Sequence, residues 1–308
     1  CRVRRGGVIL LVAMEIWKAI IVGIVQGLAE FLPVSSSGHI VLTQYLLGIR
    51  DVGAEHRPDL SFEIILHLGT LVSVLIFFRK SLWSLILSLF NNEMREERMM
   101  IVWLGVATVP AVVAALLFKD FFDAAPGKPV FVSGLLIVTG FILFVPRILK
   151  GKAAKLGLKS SVVMGIGQAC AILPGISRSG STIAAGLVSG VKAEKAAEFS
   201  FLMSIPAIVG GFVLTLKEQM EQTGSFTRAL NSCFNAPYVA GAIAAAFVGL
   251  FAIYVVMGAV KRGKLEYFAY YCFTAGIAGM IYFSQSCLLL EVAALFFGNW
   301  KSKFFHDG

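Results

Sequence analysis

The chain has 308 residues, of which 57% are hydrophobic and only 15% charged, with a formal net charge of +9. Its mean hydropathy of +0.82 excludes an ordinary soluble domain, and several apolar runs approach the roughly 20 residues that span a bilayer. The Lys and Arg residues cluster in loops between these runs, as the positive-inside rule expects, so the charge does not indicate a nucleic-acid partner. The predicted fold class is therefore an all-α, polytopic membrane protein.

The predicted elements begin after residues 1–13, an extension of uncertain status that precedes Met14. The first apolar run, residues 16–48, contains Pro33 and a serine cluster, which predict two half-helices around a break. A second broken run covers residues 161–190. Unbroken spans are predicted at residues 62–78, 99–118, 130–149, 196–216, 237–260 and 267–283, with polar loops at 49–61, 119–129 and 217–236. Residues 284–308 form a second extension of uncertain status.

The two broken runs contain copies of one motif, because residues 23–38 align without gaps to residues 165–180. The identical pairs are Gly23/Gly165, Ile24/Ile166, Gln26/Gln168, Ala29/Ala171, Ser35/Ser177, Ser37/Ser179 and Gly38/Gly180. We therefore predict one integral membrane domain over residues 1–308, with repeat 1 at about 14–149 and repeat 2 at about 150–283.

Charge bias predicts that the repeats are inverted. If the basic segments 150–159 and 261–264 lie inside, the second broken run enters and leaves the membrane from the inner side. The span 62–78 must then run inward, which places the first broken run on the outer side. Broken helices at matching positions of two halves are typical of a binding site near the midplane. Each repeat is thus predicted to contain a broken, re-entrant helical hairpin.

The second break has the composition of a phosphate site. Gly175 and Gly180 permit a turn whose backbone N–H groups can hold an anion, and Arg178 adds a planar cation suited to phosphate oxygens. Additional hydroxyl donors come from Ser177, Ser179, Ser181 and Thr182. The structural alternative is a serine-lined helix break in which Arg178 pairs with a buried carboxylate.

The first break supplies acid–base groups. Glu30 can bind a divalent cation or act as a base, and Gln26 lies one helical turn earlier on the same face. His39 can be a general acid/base or a nucleophile, and Ser36 can be a nucleophile if His39 activates it. A metal-activated water is a third candidate for the attacking group.

Structural interpretations exist for these and neighbouring residues. His39 can be a hydrogen-bonded packing histidine, and Ser35 and Ser37 can be turn-forming hydroxyls. Glu63 and His67, four residues apart on one helix face, either contact the site or lie at the membrane interface.

Taken as motifs, these stretches resemble the signatures of the bacterial undecaprenyl-diphosphate phosphatases, the bacitracin-resistance family. The matching segments are Gln26-x-x-x-Glu30, Glu30-Phe-Leu-Pro-Val-Ser-Ser-Ser-Gly-His39, Pro174-Gly-Ile-Ser-Arg-Ser-Gly-Ser-Thr182 and Ala197-Glu-Phe-Ser-Phe-Leu. The resemblance covers about residues 14–283.

The resemblance implies hydrolysis of undecaprenyl diphosphate to undecaprenyl phosphate and inorganic phosphate, which recycles the lipid carrier for cell-wall synthesis and confers bacitracin resistance. It implies a divalent cation, Mg²⁺ or alternatively Ca²⁺. It also implies a multi-pass protein of the bacterial plasma (inner) membrane whose site opens to the outer face. The expected partners are the bilayer and a polyprenyl diphosphate, with a homodimer left open and no nucleic acid.

Residue by residue, the resemblance assigns catalytic roles to Glu30, Ser36, His39 and Arg178, with Glu30 as the metal ligand. It assigns substrate binding to Gln26, Ser35, Ser177, Arg178, Ser179 and Thr182. Gln26 stands where some members have a Glu, which weakens the case for a two-carboxylate metal site. A hypothesis from another class is a polyprenyl-phosphate carrier or flippase, since opposed re-entrant loops are transporter architecture.

Overall fold

The computed structural model describes residues 2–5, 8–11, 14–49, 60–117, 129–149 and 151–304, with side chains in 14–49, 61–117, 129–149 and 151–285. These residues form a short antiparallel hairpin and twelve helices. The hairpin pairs β1 (Arg2–Arg5) with β2 (Val8–Leu11). The helices are α1 (Ile16–Phe31), α2 (Ser36–Leu46), α3 (Leu60–Phe77), α4 (Arg79–Ser88), α5 (Arg95–Leu117), α6 (Pro129–Ile148), α7 (Leu158–Cys170), α8 (Arg178–Val188), α9 (Ala193–Thr223), α10 (Phe226–Cys233), α11 (Ala236–Lys261) and α12 (Glu266–Phe304).

Apart from the short hairpin, the structure confirms the predicted all-α, multi-pass membrane protein. Among the described residues, four helices are long and apolar enough to cross a membrane, namely α5, α6, α9 and α11. A fifth span is present if α3 and α4, which bend by 76° at their junction, are counted together. Residues 267–283, which the sequence predicts to span, lie in the first half of α12.

Both helix breaks lie where the sequence predicts them. The first separates α1 from α2 and contains Pro33, which cannot donate a helical hydrogen bond. The second separates α7 from α8 and contains Gly175 at φ = 107°, a left-handed conformation that favours glycine.

One predicted loop is wrong. The sequence predicts a polar loop at residues 217–236, but α9 continues to Thr223 and α10 occupies much of the remainder. Lys, Glu, Gln and Met are good helix formers, so the polarity of this segment marks where the helix leaves apolar surroundings, not where it ends. Gly224, at φ = 67°, provides the left-handed C-cap. The predicted loops 49–61 and 119–129 fall almost wholly outside the described residues.

Close helix packing places both breaks inside the protein. Helix α8 contacts α6, α7 and α9, and most of its side chains are buried. Helix α1 packs against α11 at Gly23, where a Cβ atom would lie 2.2 Å from the carbonyl oxygen of Gly241. Small residues allow such backbone contact between membrane helices. At the breaks themselves, a Cβ at Gly38 would lie 3.1 Å from the Cα of Gly175, so the two breaks meet.

Candidate active site

The first break is held in a strained conformation by Ser35. Among the described residues, Ser35 is the one non-glycine residue with a positive φ, 71°. Its Oγ accepts a hydrogen bond from the backbone N–H of Gly38 at 3.4 Å and so caps α2. Such strain costs about 1–3 kcal/mol and is concentrated at functional sites. Ser35 therefore sets the direction in which the following serines point.

The second break repeats these contacts at the matching positions. Ser177 caps α8 by accepting from the N–H of Gly180 at 3.0 Å. The hydroxyls of Ser177 and Ser179 are 3.3 Å apart, as those of Ser35 and Ser37 are 3.4 Å apart. The two copies of the motif thus have the same local hydrogen-bonding pattern.

Three contacts join the breaks to each other and to α9. The Arg178 guanidinium forms a hydrogen-bonded ion pair with Oε1 of Glu30, and its Nη1 donates to the carbonyl of Ser200 at 3.3 Å. The hydroxyl of Ser179 donates to the carbonyl of Leu32 at 3.4 Å. The structure therefore brings the two sequence motifs together in one cluster of polar groups.

The Arg178–Glu30 pair is also what the structural alternative for the second break predicts. The side chain of Arg178 is 18% exposed, whereas that of Glu30 is only 4% exposed. The guanidinium thus keeps one accessible side, although its charge is already balanced. The pair by itself explains why an Arg is tolerated here, and the case for phosphate binding rests on the groups around it.

Glu30 is the centre of the cluster. Its Oε2 accepts from the amide of Gln26 at 3.1 Å and from the hydroxyl of Ser36 at 2.5 Å. Nε2 of His67 lies 3.4 Å from the same oxygen. The structure thus places His67 beside the catalytic candidates, while Glu63 contributes its backbone carbonyl, 2.7 Å from Nδ1 of His67. The short Ser36–Glu30 contact is the arrangement of a nucleophile and its base.

The structure gives His39 and Ser36 different hydrogen-bond partners. Nδ1 of His39 lies 2.8 Å from the carbonyl of Ser35, and Nε2 lies 2.8 Å from the hydroxyl of Tyr271. A carbonyl only accepts, so Nδ1 carries a proton in this geometry. These contacts do not support the hypothesis that His39 activates Ser36, because the hydroxyl of Ser36 donates to Glu30 instead.

The remaining substrate-binding candidates lie deeper. The Thr182 hydroxyl is fully buried, donates to the carbonyl of Arg178 at 2.8 Å and lies 2.5 Å from the hydroxyl of Ser200. Gln26 is equally buried, and its Oε1 has no hydrogen-bond partner among the described residues. The buried hydroxyl of Ser181 is likewise without a partner there. Thr182 and Gln26 therefore lie on the buried side of the cluster, where they bond to Arg178 and Glu30 respectively.

Sequence reasoning misses Thr139, a buried residue of α6. Its hydroxyl donates to the carbonyl of Gly175 at 2.8 Å and accepts from the N–H of Ser177 at 3.0 Å. One side chain thereby fixes both sides of the turn that precedes Arg178. The available signal was a hydroxyl in the middle of an apolar run, which is too common to single out.

Replacing Thr139 with Val is expected to lower the free energy of unfolding by about 1–3 kcal/mol, because the carbonyl of Gly175 and the N–H of Ser177 lose a buried partner. Thr139→Ser keeps the hydroxyl and should lose less. Thermal unfolding of the detergent-solubilised variants measures the difference. Equal stability of Thr139→Val and wild type would contradict the assigned hydrogen bonds.

The donor groups limit the kind of metal site that this cluster can form. Among the described residues, no group of three or more His, Cys, Asp or Glu side chains could hold a metal ion. Magnesium commonly takes only one or two carboxylates, with waters and substrate phosphates as its other ligands. Oε1 of Glu30 has Arg178 as its only hydrogen-bond partner in the described structure, so it can accept a further ligand. The residues present fit a cation that shares its ligands with a bound phosphate.

Comparison with known proteins agrees with this architecture. The sequence profile of the family described as "Bacitracin resistance protein BacA" matches residues 19–278. An undecaprenyl-diphosphatase of Salinibacter ruber is 40% identical over 280 residues, covering 87% of this chain and 99% of the relative. Another, from Methanobrevibacter smithii, is 40% identical over 282 residues, covering 86% and 96%. Undecaprenyl-diphosphatase 2 of Halalkalibacterium halodurans is 37% identical over 283 residues, covering 89% and 98%. The profile match and these near full-length relatives establish that the chain belongs to the bacitracin resistance protein BacA family.

Proposed function

We propose that the chain is a membrane phosphatase that hydrolyses undecaprenyl diphosphate to undecaprenyl phosphate and inorganic phosphate. This reaction recycles the lipid carrier for cell-wall synthesis and confers resistance to bacitracin. The observation that carries the proposal is the Ser36–Glu30 contact of 2.5 Å, next to the Glu30–Arg178 ion pair. A hydroxyl, a base and a phosphate-binding cation are the groups that phosphoryl transfer requires. Relatives named undecaprenyl-diphosphatase supply the substrate.

In the first step, Glu30 takes the proton of the Ser36 hydroxyl, and Oγ attacks the terminal phosphorus. The bond from that phosphorus to the bridging oxygen breaks, and polyprenyl phosphate leaves. In the second step, water adds to the phosphoserine, Oγ leaves and is reprotonated, and inorganic phosphate is released. His39, three residues from Ser36 on α2, is the proposed proton acceptor for that water.

Arg178 and the N-terminus of α8 form the proposed phosphate site. The guanidinium exchanges part of its contact with Glu30 for the phosphate oxygens, to which it can donate two hydrogen bonds. The hydroxyls of Ser177 and Ser179 and the backbone N–H groups of Arg178 and Ser179 would donate to the same negative charge, since the N–H groups of Gly180 and Ser181 already donate to Ser177. Ser35 shapes the opposite side of the site through its strained backbone.

A divalent cation, Mg²⁺ or alternatively Ca²⁺, is part of the proposal. Glu30 would be its protein ligand, with the remaining positions filled by phosphate oxygens and water. When bound, the cation neutralises charge on the diphosphate and so favours departure of the lipid phosphate. Gln26 keeps Glu30 in place by donating its amide to Oε2.

We further propose that residues 1–308 form one membrane domain with inverted repeats at about 14–149 and 150–283, each with a re-entrant hairpin. The matching caps of Ser35 and Ser177 support the repeat. The protein would lie in the bacterial plasma (inner) membrane with its site open to the outer face. A homodimer is compatible with this function but is not required, because every residue of the proposed site comes from one chain.

Release of inorganic phosphate from a short-chain polyprenyl diphosphate by purified protein in detergent tests the function. We expect release with Mg²⁺, none with EDTA, and a loss of about 10²-fold or more in Ser36→Ala. Ser189→Ala, which removes a hydroxyl bonded to its own helix at 2.8 Å, is the control. If folded wild-type protein released no phosphate but still bound polyprenyl phosphate, the result would favour the carrier or flippase hypothesis. If Ser36→Ala released phosphate as fast as wild type, the phosphatase function would stand, but Ser36 could not be the nucleophile.

A further inference from the structure

Helix α12 contacts the first break although it lies in neither sequence motif. The hydroxyl of Tyr271 is 2.8 Å from Nε2 of His39, and the two rings are stacked with centroids 5.6 Å apart and planes at 16°. The next residue, Cys272, directs its Sγ at the carbonyl of Pro33, 3.9 Å away. Two consecutive residues of α12 therefore support the break that carries the catalytic candidates.

The partners of His39 determine its protonation pattern. Because the carbonyl of Ser35 holds the proton on Nδ1, a neutral imidazole has its lone pair on Nε2. The hydroxyl of Tyr271 can donate to that lone pair. The Tyr271 hydroxyl thus fixes the ring plane of His39 and marks Nε2 as the nitrogen that can take a proton once this hydrogen bond gives way.

We propose that Tyr271 is a positioning residue that acts through His39, an inference that rests on the proposed phosphatase function. During hydrolysis of the phosphoserine, water gives its proton to Nε2 of His39 while the hydroxide oxygen bonds to phosphorus. The Ser36–phosphorus bond breaks, Glu30 returns its proton to Oγ of Ser36, and His39 gives up its proton to the departing phosphate. Tyr271 holds the ring plane of His39 and keeps Nε2 unprotonated until the water replaces the Tyr271 hydroxyl on that nitrogen.

A packing role does not account for the hydroxyl. Tyr271 is 48% exposed, so packing covers only part of its side chain, and packing alone makes no use of the hydroxyl. Tyr270 provides the comparison within the same helix: it is 52% exposed and meets the ring of Phe144 edge-on at 5.3 Å. The contact with a catalytic candidate distinguishes Tyr271 from its neighbour.

The test compares Tyr271→Phe with Tyr270→Phe, each of which removes one hydroxyl and keeps the ring. We expect Tyr271→Phe to lower kcat by about 10-fold to 100-fold, the range found for hydrogen bonds that orient metal-ligating histidines. KM and the thermal midpoint should stay near wild type, and Tyr270→Phe should match wild type in all three. An unchanged kcat in Tyr271→Phe would overturn the proposal.

A double-mutant cycle shows whether Tyr271 acts through His39. In a His39→Gln background, Tyr271→Phe should cause no further loss of kcat, because the group that it positions is gone. An additional loss equal to that in the wild-type background would refute the assignment to His39.

A spectroscopic measurement keeps the inference testable if the chain proves to have no phosphatase activity. The chain has four histidines, and His39→Gln identifies the His39 signals in ¹⁵N-histidine-labelled protein. The Nε2 resonance of His39 should shift in Tyr271→Phe and remain in place in Tyr270→Phe. No shift in Tyr271→Phe would disprove the hydrogen bond, whereas a shift without phosphate release in wild type would refute only the proposed function.

Discussion

Replacing Glu30 with Gln is expected to reduce phosphate release by about 10²- to 10⁴-fold, the contribution typical of a general base. The amide has the size of the carboxylate but cannot take the proton of Ser36, whose hydroxyl lies 2.5 Å from Oε2. It also gives a divalent cation a much weaker ligand. Phosphate release at saturating Mg²⁺ measures the effect.

Stability must be followed in the same variant. Removing one charge of a buried ion pair commonly costs about 3–5 kcal/mol because the other charge is left without its partner. In Glu30→Gln the amide oxygen can still accept from Arg178, so the cost should be smaller than in Glu30→Ala. The thermal midpoint therefore separates a loss of catalysis from a loss of fold.

Glu198 offers a matched control for Glu30. Its carboxylate also accepts from a serine, Ser81, at 2.8 Å and pairs with a cation, Lys195, at 2.9 Å. Glu198→Gln makes the same chemical change at a more exposed ion pair outside the proposed site, where the Glu198 side chain is 15% exposed, so it should retain near wild-type phosphate release. If Glu30→Gln released phosphate as fast as Glu198→Gln, Glu30 could not be the base.

The sequence predicts the positions of the breaks but not their internal contacts. Pro33, Gly175 and the serine clusters are local signals, and α1 and α7 end beside them. Which of three consecutive serines reaches Glu30 depends on the backbone at Ser35, where φ is 71°. Serine has no strong preference for such a conformation, so no pattern in the sequence selects Ser36.

Long-range partners are even less accessible to sequence reasoning. His39 and Tyr271 are 232 residues apart, and Thr139 is 36 residues from the carbonyl that it holds. Their proximity results from the packing of α12 on α6 and of α6 on α2 and α8. Helical periodicity describes one helix at a time and contains no information on which helices are neighbours.

A polar residue in the sequence of a membrane protein can indicate either a buried functional site or a helix that extends out of the membrane. Arg178 and Glu30 are charged residues in apolar runs, and the structure places them in an enclosed cluster, as expected from the cost of exposing charge to lipid. In residues 217–236 polarity instead accompanies continued helix. The difference is that residues 217–222 are all good helix formers and that no proline occurs in the segment before residue 237.

Replacing Arg178 with Lys is expected to lower kcat/KM by about 10²- to 10³-fold, comparable to the loss of one donor that stabilises developing charge. Arg178 uses separate nitrogens for Glu30 and for the carbonyl of Ser200. Lysine keeps the charge, so Glu30 stays paired, but its single ammonium cannot reproduce the planar fork or donate to two phosphate oxygens in parallel. A lower kcat/KM in Arg178→Lys would therefore result from the changed geometry of the cation and not from a change in charge.

Arg147→Lys is the control for this substitution, since Arg147 pairs with Glu266 at 3.4 Å and its side chain is 58% exposed. Inhibition by inorganic pyrophosphate, measured alongside kcat/KM, tests binding without chemistry. Weaker inhibition in Arg178→Lys, with unchanged inhibition in Arg147→Lys, would locate the phosphate site at the second break. If Arg178→Lys kept both wild-type kcat/KM and wild-type inhibition, the Arg178–Glu30 pair would be purely structural, and the phosphate would have to bind elsewhere in the cluster.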